Sequence, residues 1–261
     1  MRTIKTDTIT EVMSELCKEA AYYLPEDVYE ALKKGRATEK SPVGCDVLDQ
    51  IIKNAEIAQA EDRPYCQDTG LAIVFVEVGQ DVHIEGGLLD DAINAGVAKG
   101  YTEGYLRKSV VAEPLFNRVN TKNNTPAVIY TQLVAGDKIH MTIAPKGFGS
   151  ENKSGLEMLV PADGVEGVKA AVMRIIKHAD CNPCPPMVVG IGVGGTMDKA
   201  AYMSKKALLH RCDEHNPDPN YAKLEEELFE MINKTGIGPQ LGGTTTALAV
   251  HIEWGATHIA G

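Results

Sequence analysis

The chain has 261 residues, a formal net charge of -10 at pH 7 and 44% hydrophobic residues, only a few of which are aromatic. Such a length suits one large domain or two small ones, and the apolar share is enough for a sizeable core. The acidic balance argues against a nucleic-acid-binding protein, which would need a basic face. It does not exclude a small anionic ligand, because a few Arg and Lys side chains in a pocket can override the global charge.

The N-terminal sequence MRTIKTDTITEVMSEL lacks the apolar run and the small-residue cleavage site of a signal peptide. No apolar run approaches the roughly 18 residues that a membrane-spanning helix needs. We therefore predict a cytoplasmic protein that does not contact a membrane. In that compartment the six cysteines are better explained as free thiols or metal ligands than as disulfides.

Residues 1–60 are predicted to form a helical layer. The segment TITEVMSELCKEAAYYL has apolar residues at helical spacing, a second helix follows Pro25 and ends near Gly35, and CDVLDQIIKNAEIAQAE continues the pattern. Cys17 and Cys45 fall within these helices, where they are predicted to be small core residues.

Residues 61–261 are predicted to be mixed α/β. Three segments rich in β-branched residues predict strands: LAIVFVEVG, PPMVVGIGVGG and TTTALAVHIEW. AVIYTQLVAGDKIHMTIAPKG predicts a hairpin that turns at Gly136 and Asp137. Helical spacing occurs in LLDDAINAGVAKGYTEG, SGLEMLVPADGVEGVKAAVMRIIKHAD, DKAAYMSKKALLHR and YAKLEEELFEMINKTG. The predicted fold class is α+β, with the helical layer followed by mixed β-sheets packed with helices, in a single domain over residues 1–261.

Cys66 begins the motif CQDTG, directly before the predicted strand LAIVFVEVG. Element ends of this kind are where ligands tend to bind. On its own, however, a cysteine at a strand start is more often a buried core residue than a nucleophile or a metal ligand. The motif alone leaves all three roles open.

Cys181 and Cys184 form a C-x-x-C pair in HADCNPCPPMVVGIGVGG. The spacing suits zinc, an iron–sulfur cluster or a redox dithiol. A zinc ribbon would need a second such pair, which the sequence lacks. A thioredoxin-type pair would open a helix, whereas the two prolines after Cys184 lead into a predicted strand. The iron–sulfur cluster therefore stays open, beside the alternative of a turn that happens to hold two cysteines.

The segment APKGFGSENKSG places Gly147 and Gly149 in a loop that is predicted to open a helix and that suits a carboxylate or phosphate. It lacks the Walker A spacing, and GIGVGG lacks the register of a dinucleotide fingerprint. Arg107 and His258 are weaker signals, because most arginines are solvated and most lone histidines are structural. HRCDEH is predicted to be a solvated helix end.

Several motifs follow one another in a single order and cover nearly everything after about residue 60: CQDTG, LRKSVVAEPLFNRVNTKNNTPAVIY, APKGFGSENKS, CPPMVVGIGVGGTMDKAAYMSKKAL, GIGPQLGGTTTALAVHIE and THIAG. In these motifs the chain resembles the α subunit, or N-terminal half, of class I iron–sulfur fumarate hydratases and of the related L-tartrate dehydratases.

The resemblance implies a 4Fe-4S cluster that is held by three cysteines and has one open iron. Cys66 matches the first ligand and Cys184 the second, whereas Cys181 is a bystander. The third family cysteine follows a short way past His258, and the sequence as given stops at Gly261. A chain ending there is expected to hold the cluster poorly, which full iron and sulfide occupancy would contradict.

The resemblance also implies reversible hydration of fumarate to L-malate, a reaction of the tricarboxylic acid cycle, with the open iron as Lewis acid. The residues that are implied to bind the four-carbon dicarboxylate are Gln67, Arg107, Gly147 and Gly149. Asp68 and His258 are implied to be catalytic, Asp68 as part of the proton-transfer apparatus.

The implied partner is a separately encoded β subunit with a swivelling domain, which nothing in this chain resembles. The implied assembly is a homo-oligomer or an α2β2 complex. One alternative is the same chemistry on L-tartrate, giving oxaloacetate. Another is a non-catalytic protein that senses iron or oxygen through Cys66 and Cys184. A structural zinc module is the weakest alternative, since the number and spacing of the thiols are wrong for it.

Overall fold

The computed structural model describes residues 1–261 and is 44% helical and 20% strand. The three N-terminal helices, and the small sheets packed with helices that follow them, confirm the predicted α+β class. No helix is both long enough and apolar enough to cross a membrane. Contacts between residues divide the chain into two compact units, the first formed by Met1–Leu24 and Asn54–Phe148, the second by Pro25–Lys53 and Gly149–Gly261. The single domain over 1–261 stays a prediction.

The helices are α1 (Thr6–Tyr22), α2 (Glu26–Thr38), α3 (Pro42–Glu61), α4 (Leu89–Glu103), α5 (Phe148–Glu151), α6 (Gly164–Ala179), α7 (Met197–Ala207) and α8 (Pro219–Asn233). The strands are β1 (Arg2–Lys5), β2 (Leu71–Gly79), β3 (Val82–Glu85), β4 (Val128–Val134), β5 (Ile139–Lys146), β6 (Met187–Gly194) and β7 (Ala247–Gly255).

In the first unit, α1 packs closely against α4. Gly96 and Gly100 of α4 make this possible, since a Cβ atom at Gly96 would lie 2.6 Å from the carbonyl oxygen of Thr10 and one at Gly100 would lie 2.7 Å from that of Ser14. The apolar faces of the two helices, including the fully buried Met13, join β2 in one core. The helical spacing in the sequence therefore reflects burial between α1, α4 and the sheet.

The three-stranded sheet of the first unit has the order β4-β2-β5, so the predicted hairpin is wrong. Both predicted strands exist, but β4 pairs with β2 in parallel and β5 pairs with β2 antiparallel. The turn between them crosses the end of β2, where the Gly79 N–H donates to the Lys138 carbonyl oxygen at 2.8 Å. A side chain at Gly79 would collide with the Gly136 carbonyl oxygen. The mostly buried β2 thus gains a partner strand on each edge.

Three further features differ from the predicted elements. The short strands β1 and β3, which pair in parallel, were not predicted. The helix expected from residue 154 onward begins only at Gly164, whose φ is +54, directly after the short helical turn Pro161–Asp163. The stretch HRCDEH lies beyond the end of α7, and all its side chains except that of Cys212 are exposed.

In the second unit, the parallel strands β6 and β7 pack against α7 and α8, and α6 packs against α8. The glycines of GIGVGG have a packing role, because side chains at Gly190 and Gly192 would collide with carbonyl oxygens of Ser204 and Ala200 in α7. This close contact accounts for alternating glycines within a strand. Leu228 and other buried side chains of α6, α8 and β7 complete the core.

A buried carboxylate anchors the GGTTT loop of the second unit. Glu39 follows α2, is 8% exposed, and accepts hydrogen bonds from the backbone N–H groups of Ser41, Thr244 and Thr245 at 2.8 to 3.0 Å. A Cβ atom at Gly243 would lie 2.7 Å from this carboxylate. Burial raises the pKa of Glu39, but the hydrogen bonds outweigh it and lower the pKa to about 2.

We expect Glu39→Gln to lower the free energy of unfolding by on the order of 2 kcal/mol at neutral pH. Because the folded-state pKa of about 2 lies below the ordinary value of 4.5, the stabilisation is present above 4.5 and lost as the pH falls towards 2. Urea unfolding of both proteins at several pH values measures the difference. The exposed Glu226→Gln is the matched control, and a difference that stays constant down to the lowest pH contradicts the expectation.

Candidate active site

The turn that carries CQDTG is held in place by Tyr65 in the first unit. The Tyr65 hydroxyl donates to the Ala20 carbonyl oxygen at 3.1 Å, and the Tyr65 N–H donates to that of Ala21 at 3.1 Å. The side chain of Asn54 donates to the Tyr65 carbonyl oxygen at 2.7 Å. These bonds fix the chain directly before Cys66, whose thiol is exposed.

Asp68 and the glycine loop meet in the first unit. The Asp68 carboxylate accepts from the Gly70 N–H at 3.2 Å and from the Phe148 N–H at 3.3 Å. A Cβ atom at Gly147 would lie 3.3 Å from the second carboxylate oxygen, so glycine allows the close approach. The loop was predicted to offer its N–H groups to an anionic ligand, and one of them instead binds Asp68.

One cavity of about 640 Å³ brings together Cys66, Gln67 and Arg107. Arg107 is exposed, and no carboxylate of the chain forms an ion pair with its guanidinium group. Arg63 also lines the cavity but pairs with Glu61 at 3.1 Å. The volume lies in the range of small-molecule sites. The cavity therefore combines a thiol, an amide and an unpaired positive charge.

The remaining predicted site residues lie in the second unit. Cys184 has a left-handed backbone at φ +58, and its N–H donates to the Cys181 carbonyl oxygen at 3.1 Å. The Asn182 carbonyl oxygen is close to two of the predicted residues, at 3.9 Å from the Cys184 sulfur and 3.0 Å from the position of a Cβ atom at Gly149. His258 is exposed, and its Nδ1 accepts from the Ala260 N–H at 3.2 Å.

The thiols differ in their fitness as iron–sulfur ligands, which must be thiolates. Cys66 and Cys184 are free and exposed, and so is the neighbouring Cys181. Burial raises the pKa of Cys17 to about 12 and that of Cys212 to about 11, which favours their neutral thiols. The chain gathers no group of three His, Cys, Asp or Glu side chains that could hold a metal ion. Exposure therefore separates the three exposed thiols from the more buried ones but does not choose among the three, and the chain alone forms no complete ligand set.

Sequence reasoning missed the buried polar residues that join the CQDTG turn to the segment of Arg107. The Arg107 N–H donates to the Thr69 hydroxyl at 2.9 Å. Asn124 donates from its amide to the Gly70 carbonyl oxygen at 3.0 Å and accepts from the Ser109 N–H at 2.8 Å. Asparagine tolerates a left-handed backbone, here at φ +62. In the sequence, two adjacent asparagines shortly before Pro126 were the feature that could have indicated a turn with this role.

We expect alkylation of the folded, reduced chain to separate its cysteines into two groups. Near pH 8, Cys17 and Cys212 should react with iodoacetamide at least about 100-fold more slowly than Cys66 and Cys184, because the thiolate is the reactive form and burial disfavours it. Peptide mass spectrometry after timed quenching measures the rates. In concentrated guanidinium chloride the rates should become similar, and equally fast labelling of Cys17 in the folded chain contradicts the expectation.

Comparison with known proteins shows the family of the chain. A family model described as "Fumarate hydratase (Fumerase)" matches residues 10–261. A Methanocaldococcus jannaschii protein, provisionally named L(+)-tartrate dehydratase subunit alpha, is 43% identical over 258 residues, which are 97% of this chain and 90% of that protein. The L(+)-tartrate dehydratase subunit alpha of Escherichia coli strain K12 is 32% identical over 255 residues, 96% of this chain and 83% of that protein. The chain belongs to the fumarate hydratase (Fumerase) family.

Proposed function

We propose that the chain is the α subunit of an iron–sulfur hydro-lyase that acts on a four-carbon dicarboxylate. The observation that carries this proposal is the cavity shared by Cys66, Gln67 and Arg107, with the fixed carboxylate of Asp68 between Gln67 and the first residues of β2. Fumarate, hydrated to L-malate, is the substrate that the family description supports. L-Tartrate is the second candidate, because both relatives are named as tartrate dehydratase subunits.

Arg107 and Gln67 would bind the substrate. A guanidinium group can hold a carboxylate through two parallel hydrogen bonds, and its charge is not neutralised by another side chain of this chain. The Gln67 amide offers both a donor and an acceptor, which suits a substrate that carries carboxylate and hydroxyl groups. Gly147 and Gly149 would serve this site through their backbones.

Asp68 would move the proton at the carbon next to the leaving hydroxyl. Its two oxygens each accept one backbone N–H, so the carboxylate has a fixed position while the remaining lone pairs can accept a proton. A positioned general base of this kind contributes about 10²- to 10⁴-fold to a rate. His258 is the second catalytic residue that we propose; its imidazole is exposed, and histidine is the side chain most often used for proton transfer in enzymes.

We propose Cys66 and Cys184 as two of the three protein ligands of a 4Fe-4S cluster. The third ligand is not assigned to a residue. When bound, such a cluster supplies an open iron that acts as a Lewis acid on the substrate hydroxyl. The chain's own task is then to present two accessible thiolates and to hold the dicarboxylate. Exposed thiolates of this kind persist in a reducing compartment, which supports a cytoplasmic location.

The proposed partner is a β subunit. Both relatives are named alpha subunits, which supports a heteromeric enzyme, with α2β2 or another oligomer as its form. The partner would supply further groups for the substrate.

The complex of this chain with its β subunit, reconstituted anaerobically with iron and sulfide, should dehydrate L-malate or L-tartrate. In that complex Asp68→Asn should lower kcat by about 10²- to 10⁴-fold while cluster absorbance is kept. Turnover assays on fumarate, L-malate and L-tartrate decide the substrate. Absence of activity on all three, with a full cluster, would refute the proposed function.

Variants of two neighbouring cysteines distinguish a cluster ligand of an enzyme from a thiol of a non-catalytic protein that senses iron or oxygen. Cys184→Ala should abolish cluster assembly and activity, whereas Cys181→Ala, in the same turn and also exposed, should keep both. Iron and sulfide content and turnover of the reconstituted complexes measure the difference. Full dehydratase activity in the Cys184→Ala complex would favour a non-catalytic role for this thiol.

A further inference from the structure

We propose that Thr69 is a positioning residue that sets the place of Arg107 at the cavity. The inference rests on the proposed function, in which Arg107 binds a substrate carboxylate. Thr69 would act by positioning Arg107 and would not itself contact the reacting atoms of the substrate.

The hydroxyl of Thr69 faces both main-chain polar groups of Arg107. It accepts from the Arg107 N–H at 2.9 Å and lies 3.5 Å from the Arg107 carbonyl oxygen, to which it can donate. Thr69 is only 7% exposed, so little water is available to replace the hydroxyl if it is removed. A buried N–H group that loses its partner is costly, and the Arg107 backbone would therefore move to find another acceptor.

Thr69 cannot follow such a movement, because its own backbone is held from the other side. The fully buried Tyr101 donates its hydroxyl to the Thr69 carbonyl oxygen at 2.7 Å and reaches that of Gly70 at 3.2 Å. Asn124, also fully buried, bridges Gly70 and Ser109. Two sets of hydrogen bonds therefore connect the CQDTG turn to the segment of Arg107, one through Thr69 and one through Asn124. Thr69 is the closer of the two to Arg107, since it bonds to the Arg107 main chain itself.

The hydrogen bonds of Thr69 matter for the candidate site because Thr69 is close in sequence to Gln67. Thr69 stands two residues after Gln67, so one short turn carries both the amide at the cavity and the hydroxyl that locates the arginine. Thr69, Gln67 and Arg107 all line the same cavity. Misplacement of a binding group by about 1 Å can cost up to 10²-fold in rate. Of the two links between these segments, the Thr69 hydroxyl is the one bonded to Arg107 itself, so the spacing between the amide and the guanidinium group depends most directly on it.

Thr69→Val tests this inference, since it removes the hydroxyl while keeping a β-branched side chain of similar size. In the reconstituted complex with the β subunit, we expect KM for the dicarboxylate to rise about tenfold, with a smaller change in kcat. Thr69→Ser keeps the hydroxyl and should stay within about threefold of the unmodified enzyme. Thermal unfolding of both variants checks that the chain stays folded.

A double-mutant cycle separates positioning from a merely structural role. If Thr69 acts through Arg107, Thr69→Val should have little further effect on KM once Arg107 is replaced by alanine. An equal rise in KM in both backgrounds, or no rise in either, would overturn the inference. Succinate is an unreactive four-carbon dicarboxylate, so its dissociation constant from each of the same complexes, measured by calorimetry, provides the same double-mutant cycle without any reaction. Succinate binding that depends on Thr69 in a complex lacking hydratase activity would refute the proposed reaction and keep the inference.

Discussion

The candidate site of the first unit depends on the close approach of two backbones where β2 begins. Gly70, with φ +73, lies against the main chain of Lys146, and a Cβ atom at Gly70 would be 2.7 Å from it. The antiparallel ladder of β2 and β5 starts directly beyond, with Leu71 opposite Lys146. Asp68 and the N–H of Phe148 are thereby placed within hydrogen-bond distance.

Glycine serves two purposes in this chain, and local sequence does not separate them. The glycines of GIGVGG remove side chains so that α7 can pack on β6. Gly147 removes a side chain so that a carboxylate can approach the backbone. Both segments look like ligand-binding loops when they are considered singly. Only the partner of each glycine, a helix carbonyl in one case and Asp68 in the other, shows which has a place in the candidate site.

The positions of most helices and strands were predictable from the sequence pattern, but the pairing of the strands was not. β2 and the strand pair of residues 128–146 were predictable from β-branched runs, and β2 has the most continuous apolar run because it is buried on both faces. Their order was not, because period-two patterning is the same for a hairpin as for two strands that flank a third. Cys66 stood out by its motif, whereas Thr69 and Asn124 did not. Their role depends on bonds between segments that are distant in sequence, which single-residue chemistry does not reveal.

Charge balance in the cavity gives the proposed partner a physical basis. A four-carbon dicarboxylate carries two negative charges, and the cavity of the first unit is lined by two arginines. Arg63 is paired with Glu61, and Asp62 adds a further carboxylate to the lining. Arg107 alone offers an unpaired positive charge, in a chain whose formal net charge is -10. One guanidinium group can neutralise one carboxylate, so under the proposed function the second charge requires a positive group other than the side chains that line this cavity. A β subunit that contributes basic side chains would meet that requirement, and the dicarboxylate would then bind tightly only in the assembled enzyme.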